Sequence, residues 1–429
     1  MSESFAMRPE TEAAVSCQST VLPSGLRVLC RTMPGYSSAH AVYATAFGSV
    51  HRDFALNGEA VHLPAGTAHF MEHKMFETPQ GDAFDFYAKT GASANAFTSY
   101  DRTCYIFTAT RDIDRNLDIL LGAVGKPWFT KATIAKEQGI IGQEIKMYDD
   151  NPDWRLLTAL FQCLYREHPI RDDIAGTVES IAELTPKLLY SCAKAFYAPS
   201  NMVLSVAGKI TLDQAIDACK RNGLYRARAA QQVEAPLPVE QGDIPQHEMT
   251  LQMPITKPAF GLGYRELPPA PGDIRRELLL DMLPGLICGG LTDLYRTLYD
   301  SALVNPEFSG DLVCADGMCA ILFTGESTQP RKVADMVRTE IERLRRDGVD
   351  PELFRLAKHQ MYGDLLGDME SAVDAAEEAA AACLKGRTLA EEVEVLASLT
   401  VEQMNELLQT ALLEANSAYV EIDPQEDEP

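Results

Sequence analysis

Two histidines four residues apart, His69 and His73, are the residues of this chain best spaced for chemistry. They stand in Gly66-Thr67-Ala68-His69-Phe70-Met71-Glu72-His73-Lys74-Met75-Phe76. On an α-helix that spacing puts both imidazoles on one face, a turn apart, so both reach a single ion. Glu72 lies between them in sequence and beside the ion in space. The order H-x-x-E-H reverses the commoner H-E-x-x-H. Two imidazoles suit zinc, and a third protein ligand would leave one coordination position for water. A candidate lies in Glu137-Gln138-Gly139-Ile140-Ile141-Gly142-Gln143-Glu144, whose two end carboxylates share a helix face. Ile140, Ile141 and Met147 surround that face with apolar side chains. A carboxylate in such surroundings is costly unless it is paired or bound to metal. We assign Glu144 as the third ligand and Glu137 as the carboxylate that orients a ligating histidine. Either feature alone arises readily by chance. Together, on two expected helices, they converge on one site holding one zinc ion per chain.

Those side chains need elements to carry them. The pattern predicts a helix over 64–76 for the histidines and another over 131–148 for the glutamates, stopped by Asp149-Asp150-Asn151-Pro152. A further helix is expected over 112–124. Strands are expected around Leu22-Pro23-Ser24-Gly25-Leu26, over 42–50, and as a pair within 91–110. The stretch 231–246, rich in Pro and Gly and without helical periodicity, reads as a linker. After it the order recurs: strands over 249–263, a helix over 274–299, strands over 307–324, helices to about 411, and a last strand over 417–422. The expected organisation is a first half, 16–230, carrying the metal motif, and a second, related half, 247–424. The polar start, 1–15, and the acidic tail, 423–429, read as solvated ends.

A chain of 429 residues exceeds what one core fills, which agrees with two halves. The net charge of −24 argues against nucleic acid, which is held through Lys and Arg on phosphate, and favours basic or neutral peptides. No apolar run approaches a membrane span and the start lacks a secretory pattern, so no membrane partner is expected. The ten cysteines are scattered without a C-x-x-C pair, which fits a reducing, cytoplasmic setting. Cys314 and Cys319 have the spacing of strand neighbours. His40, His51, His62, His168, His247 and His359 lack partner spacing and read as structural or surface residues. Lys74 and Glu77 read as exposed helix residues.

Beyond the histidine helix stand Gly91-Ala92-Ser93-Ala94-Asn95-Ala96-Phe97-Thr98-Ser99-Tyr100-Asp101-Arg102-Thr103, then Glu137 to Glu144 with Asp150-Asn151-Pro152 behind it. Gly176-Thr177-Val178-Glu179-Ser180-Ile181 and Tyr197-Ala198-Pro199-Ser200-Asn201-Met202 follow. In this order, over roughly 20–215, the chain resembles the pitrilysin, insulysin and mitochondrial processing peptidase family of zinc peptidases. The resemblance implies an α+β fold of two homologous halves, each an antiparallel sheet with helices packed on one side, together forming half of a clamshell. It implies hydrolysis of short or unfolded peptides in an enclosed chamber, leader or presequence processing included, with Glu72 as general base. It also implies that the strand at Asn95 and Ala96 binds the extended substrate by its edge. Catalytic members carry an Arg and a Tyr in the second half, in a pattern like Leu-Arg-Glu-x-x-x-Leu-x-Tyr. Here Leu298-Tyr299-Asp300-Ser301-Ala302-Leu303-Val304-Asn305 puts Tyr299 at the Arg position and Asn305 at the Tyr position, with Arg296 one turn earlier. The partner implied is a homo- or heterodimer with a sibling subunit that carries this substrate clamp. The alternative is a non-catalytic, peptide-binding or scaffold subunit of such a pair.

Overall fold

The first half opens on strands β1 (Gln18–Val21), β2 (Arg27–Thr32) and β3 (Ala39–Thr45), and the hairpin β4 (Asp53–Leu56) and β5 (Glu59–His62). Helix α1 (Thr67–Met75) carries the two histidines. The two-residue strands β6 (Glu77–Thr78) and β7 (Gly81–Asp82), helix α2 (Ala83–Thr90), and strands β8 (Ser93–Thr98) and β9 (Thr103–Ala109) come next. Helices α3 (Ile113–Val124), α4 (Lys131–Asp149), α5 (Pro152–Leu164), α6 (Val178–Ala182) and α7 (Pro186–Phe196) then lead to β10 (Met202–Gly208) and α8 (Leu212–Arg221). This computed structural model describes residues 15–425 except 228, 230 and 239. Most of the two ends read as solvated, 1–14 and 426–429, therefore lies outside the described residues.

The second half repeats the plan. After the short β11 (Val233–Glu234) come β12 (Glu248–Met253), β13 (Ala259–Glu266), α9 (Ile274–Cys288), α10 (Asp293–Asp300), β14 (Ser309–Ala315) and β15 (Met318–Glu326). Helices α11 (Pro330–Asp347), α12 (Pro351–Asp368), α13 (Ala372–Leu384), α14 (Leu389–Ser398) and α15 (Val401–Leu408) precede the last strand, β16 (Ser417–Pro424). The helix expected over 274–299 is two helices: Gly289 is extended, and Thr292 starts α10 by accepting a hydrogen bond from Tyr295 N.

The two large sheets run β1-β2-β10-β3-β9-β8 and β12-β16-β13-β15-β14. Strand for strand, β2-β10-β3-β9-β8 matches β12-β16-β13-β15-β14 in connection and in direction. Each sheet is antiparallel except for one parallel pair, β2 with β10 and β12 with β16. The halves are thus one topology used twice.

Each half packs its own helices on one face of its sheet, as expected, and the other face is covered by a helix from the opposite half. Helix α5, from the first half, packs on β13 and β16 of the second; α13, from the second, packs on β10 and β3 of the first. Residue size explains the close approach. A Cβ at Gly261 would sit 2.5 Å from Leu160 Cδ1, so glycine there admits α5. On the other side α13 presents Ala375, Ala376, Ala379 and Ala380, all buried. Strands β3 and β10, covered on both faces, are buried at every residue and read as apolar runs rather than alternations.

The segment read as a linker is tied down at several points. Val233 and Glu234 pair with β4, and Glu240 Oε1 accepts from the backbone N–H of Arg166, Glu167 and His168 at 2.9, 2.5 and 2.6 Å. The β14–β15 hairpin sets Cys314 opposite Cys319, and the two form a disulfide; the other eight cysteines are free. At the hairpin tip, Asp316 meets His51 Nε2 at 3.1 Å and accepts through its carbonyl from His168 Nε2 at 2.9 Å.

Candidate metal centre

Helix α1 is set by its own start. Gly66 has φ 87°, and a Cβ there would lie 2.3 Å from the Ala175 carbonyl oxygen. Gly176, at φ 72°, is equally close to the Ala65 carbonyl. Glycine at both places lets the 175–176 loop press on the entry to α1, and Ser180 Oγ donates to Ala65 O at 2.8 Å. Helix α4 is fixed at its start by a reciprocal Thr130–Thr133 cap. At its end Asn151 caps α5 by accepting from Trp154 N, and Pro152 takes the first helical position.

These anchors bring His69, His73 and Glu144 together, with one ligand atom from each within 4.8 Å of the others. His69 Nε2 lies 3.6 Å from Glu144 Oε1 and His73 Nε2 lies 3.5 Å from Glu144 Oε2. The rings are 4.7 Å apart, centre to centre. Both Nε2 atoms therefore converge on the carboxylate, while His69 Nδ1 is buried without a hydrogen-bond partner. Two imidazole nitrogens and a carboxylate at this separation fit a zinc ion. The donors also have the right charge. Contact with His69, and then the hydrogen bond from Tyr148, holds the Glu144 carboxyl down at about 2. Burial alone would lower His73, but the bond to Glu137 and the charges of Glu72, Glu137 and Glu144 raise it above its ordinary value.

Glu137 stands behind the histidine. Its Oε1 lies 3.0 Å from His73 Nδ1, so the imidazole donates there and turns Nε2 toward Glu144. Burial pushes the Glu137 carboxyl up, yet the His73 bond and the Lys74 charge bring it below its ordinary range. Lys74 corrects the sequence reading: it is fully buried, its ammonium paired with Glu77 and 3.9 Å from Glu137 Oε2. Glu77 is itself only partly exposed. Ile140 and Met147 are a second correction. Both are exposed, and only Ile141 of the three is buried, because Ile140 and Met147 face solvent rather than the core.

Glu72 faces the cleft in front of the metal position and accepts from Thr98 Oγ1 at 2.6 Å. Asn95 and Ala96 lie on β8, an edge strand paired only with β9, and both line this cleft of about 380 Å³. Tyr148 and Trp154 stack at 5.4 Å on its far wall, with Tyr148 donating to Glu144 Oε1 at 2.7 Å and the Trp154 indole to Asp173. Thr98, Tyr148 and Trp154 were given no role from the sequence. Tyr148, one turn after Glu144, had a spacing that pointed to it.

The expected clamp residues do not enter the cleft, whose lining comes from the first half. Arg296 is exposed beside Asp293, Tyr299 stacks on Tyr295 at the surface, and Asn305 donates to Glu326 at 3.3 Å. The remaining histidines have ordinary contacts: His40 with Thr108 and Glu377, His62 with Asp53, His247 with the Ser417 carbonyl.

A family profile described as Insulinase (Peptidase family M16) matches residues 62–178, and one described as Peptidase M16 inactive domain matches 183–361. The uncharacterized zinc protease YmfH of Bacillus subtilis is 34% identical over 394 residues, covering 90% of this chain and 92% of that protein. An M16-like peptidase from Alicyclobacillus acidocaldarius superposes with a TM-score of 0.92 at 31% identity, covering 96% of this chain and 99% of that one. Pitrilysin shares the fold, with a TM-score of 0.76 at 15% identity, and this chain spans 46% of its length.

Proposed function

The chain belongs to the insulinase family of peptidases, family M16, and from that premise we propose that it is a zinc-dependent endopeptidase for short or unfolded peptides. The observation that carries this reading is the convergence of His69, His73 and Glu144 within 4.8 Å beside a cleft that Glu72 faces. A zinc ion held by those three side chains would supply Lewis acidity toward water and the scissile carbonyl. Glu72 acts as general base, taking the proton from the attacking water and passing it to the leaving nitrogen. Thr98 Oγ1 holds the Glu72 carboxylate from the edge strand. The free edge of β8 at Asn95 and Ala96 binds the substrate main chain, which needs an extended peptide and makes little demand on its sequence. All four motif residues are present, which favours this reading over a scaffold subunit.

A single chain supplies two halves, whereas pitrilysin is about twice as long. We therefore read the active form as a dimer whose two clamshell parts enclose the peptide. Among the described residues, those lining the cleft include no Lys or Arg, so the proposed partner is a sibling subunit that brings the clamp Arg and Tyr. The same reading takes the protein as cytoplasmic, a setting that the eight free cysteines fit and the Cys314–Cys319 disulfide does not. His69→Ala and Glu144→Ala should each release zinc. The zinc-loaded protein, with its sibling if one is required, should cut an unfolded polypeptide and spare its folded form. Equal rates on the two forms would remove the enclosed chamber.

A further inference from the structure

Lys74 is the one lysine among the described residues with no exposed surface on its side chain, and it directly follows a metal-facing histidine. Moving an ammonium out of water is expensive, and it persists inside a protein only against opposite charge. Its counter-charges here are Glu77 on one side and Glu137 on the other. Glu137 is divided between two partners, with Oε2 3.9 Å from Lys74 Nζ and Oε1 3.0 Å from His73 Nδ1. One oxygen is hydrogen-bonded by the imidazole, and the ammonium, beyond hydrogen-bond reach at 3.9 Å, attracts the other by its charge and so biases the carboxylate plane. That in turn biases the line along which the His73 ring points and leaves Nε2 3.5 Å from Glu144. With the cation removed, Glu137 keeps only the histidine and can turn about its side-chain torsions.

We propose that Lys74 is a positioning residue, and that the charge chain Glu77–Lys74–Glu137, buried at the lysine, biases the orientation of His73 toward the metal. The role rests on the zinc reading above and adds to it: Lys74 acts through Glu137 and touches neither metal nor substrate. Nothing in a helical lysine beside H-x-x-E-H announces this, because α1 and α4 must first pack together to bury it.

The test is metal affinity in the full chain, measured by competition with a chromophoric chelator, with the visible spectrum of the Co²⁺-loaded protein as a readout of ligand geometry. Lys74→Met should weaken zinc about 10–100-fold, the usual effect of losing an outer partner of a metal ligand. Glu137→Gln should weaken it comparably, and the double variant no further than the worse single, since both act through one carboxylate. The Co²⁺ bands of Lys74→Met should shift. Should Lys74→Met fold poorly, Lys74→Met with Glu77→Met removes the ion pair as a unit and should show the same loss of affinity. Zinc binding within twofold of wild type in either variant, with only the melting temperature lowered, would show that Lys74 merely stabilises the fold and overturn the proposal. A wild-type protein that binds no zinc would overturn both this role and the zinc reading. A wild type that binds zinc alongside an equally tight Lys74→Met overturns this role alone.

Discussion

Glu266, the last residue of β13, is 6% exposed, and its side chain accepts a hydrogen bond from Leu412 N at 2.7 Å. Burial raises its carboxyl to about 7, against an ordinary 4.5, with the Leu412 bond and the charges of Arg276 and Arg345 only partly opposing it. The sign follows from proton linkage. Below the ordinary value both folded and unfolded chains hold the proton, and stability does not depend on this group. Between there and neutrality the unfolded chain releases the proton while the folded one keeps it, so stability falls as pH rises. Above neutrality the folded chain carries a buried charge and the loss is complete. A shift of this size corresponds to about 3 kcal/mol in all, of which about 2.5 kcal/mol falls between pH 5 and pH 8. Glu266→Gln keeps an oxygen for Leu412 N and removes the titration. The variant should therefore be close to wild type in urea stability at pH 5 and more stable by roughly 2 kcal/mol at pH 8. Taking the difference between the two proteins cancels the histidines, which titrate in both. A difference independent of pH, or wild type the more stable at pH 8, would refute the argument that Glu266 is buried against its charge.

Two further substitutions probe what positions the site. Gly66→Ala puts a side chain at positive φ and against the Ala175 carbonyl, and should lower stability by about 2–4 kcal/mol, read as a fall in melting temperature. An unchanged melting temperature would mean that the 175–176 loop does not press on α1. Ala375→Leu overfills the contact between α13 and the first sheet and should destabilise by about 1–3 kcal/mol in thermal unfolding; a neutral effect would contradict the close cross-packing.

Much of the site was legible because its signals are local. A four-residue spacing on a helix and a seven-residue spacing on another are statements about helix faces, and His69, His73 and Glu144 needed only the two helices to meet. The recurrence of strands and helices after residue 246 likewise announced a repeated topology. What escaped depends on contacts distant in the chain. Lys74 looked solvent-facing because its partner Glu137 and its burial come only when α1 packs on α4, whereas Glu77 is a local neighbour. The exchange of α5 and α13 between halves depends on Gly261 and a run of alanines, neither of which names its partner. The break at Gly289 did carry a local signal, Gly289-Gly290 followed by the capping Thr292, which the reading of one helix passed over. Ile140 and Met147 do not frame the metal face but are exposed on α4, since apolar type alone does not say which way a helix residue points.

The central claim is that zinc at His69, His73 and Glu144 works with Glu72 as the base. Its most direct test is zinc content and peptide cleavage measured on the same preparations of wild type and Glu72→Gln, with the sibling subunit added to both if wild type needs it. The account predicts one zinc per chain in each protein, cleavage by wild type, and a loss of at least ~10²-fold in Glu72→Gln. Zinc-loaded Glu72→Gln cutting the peptide at the wild-type rate would contradict it.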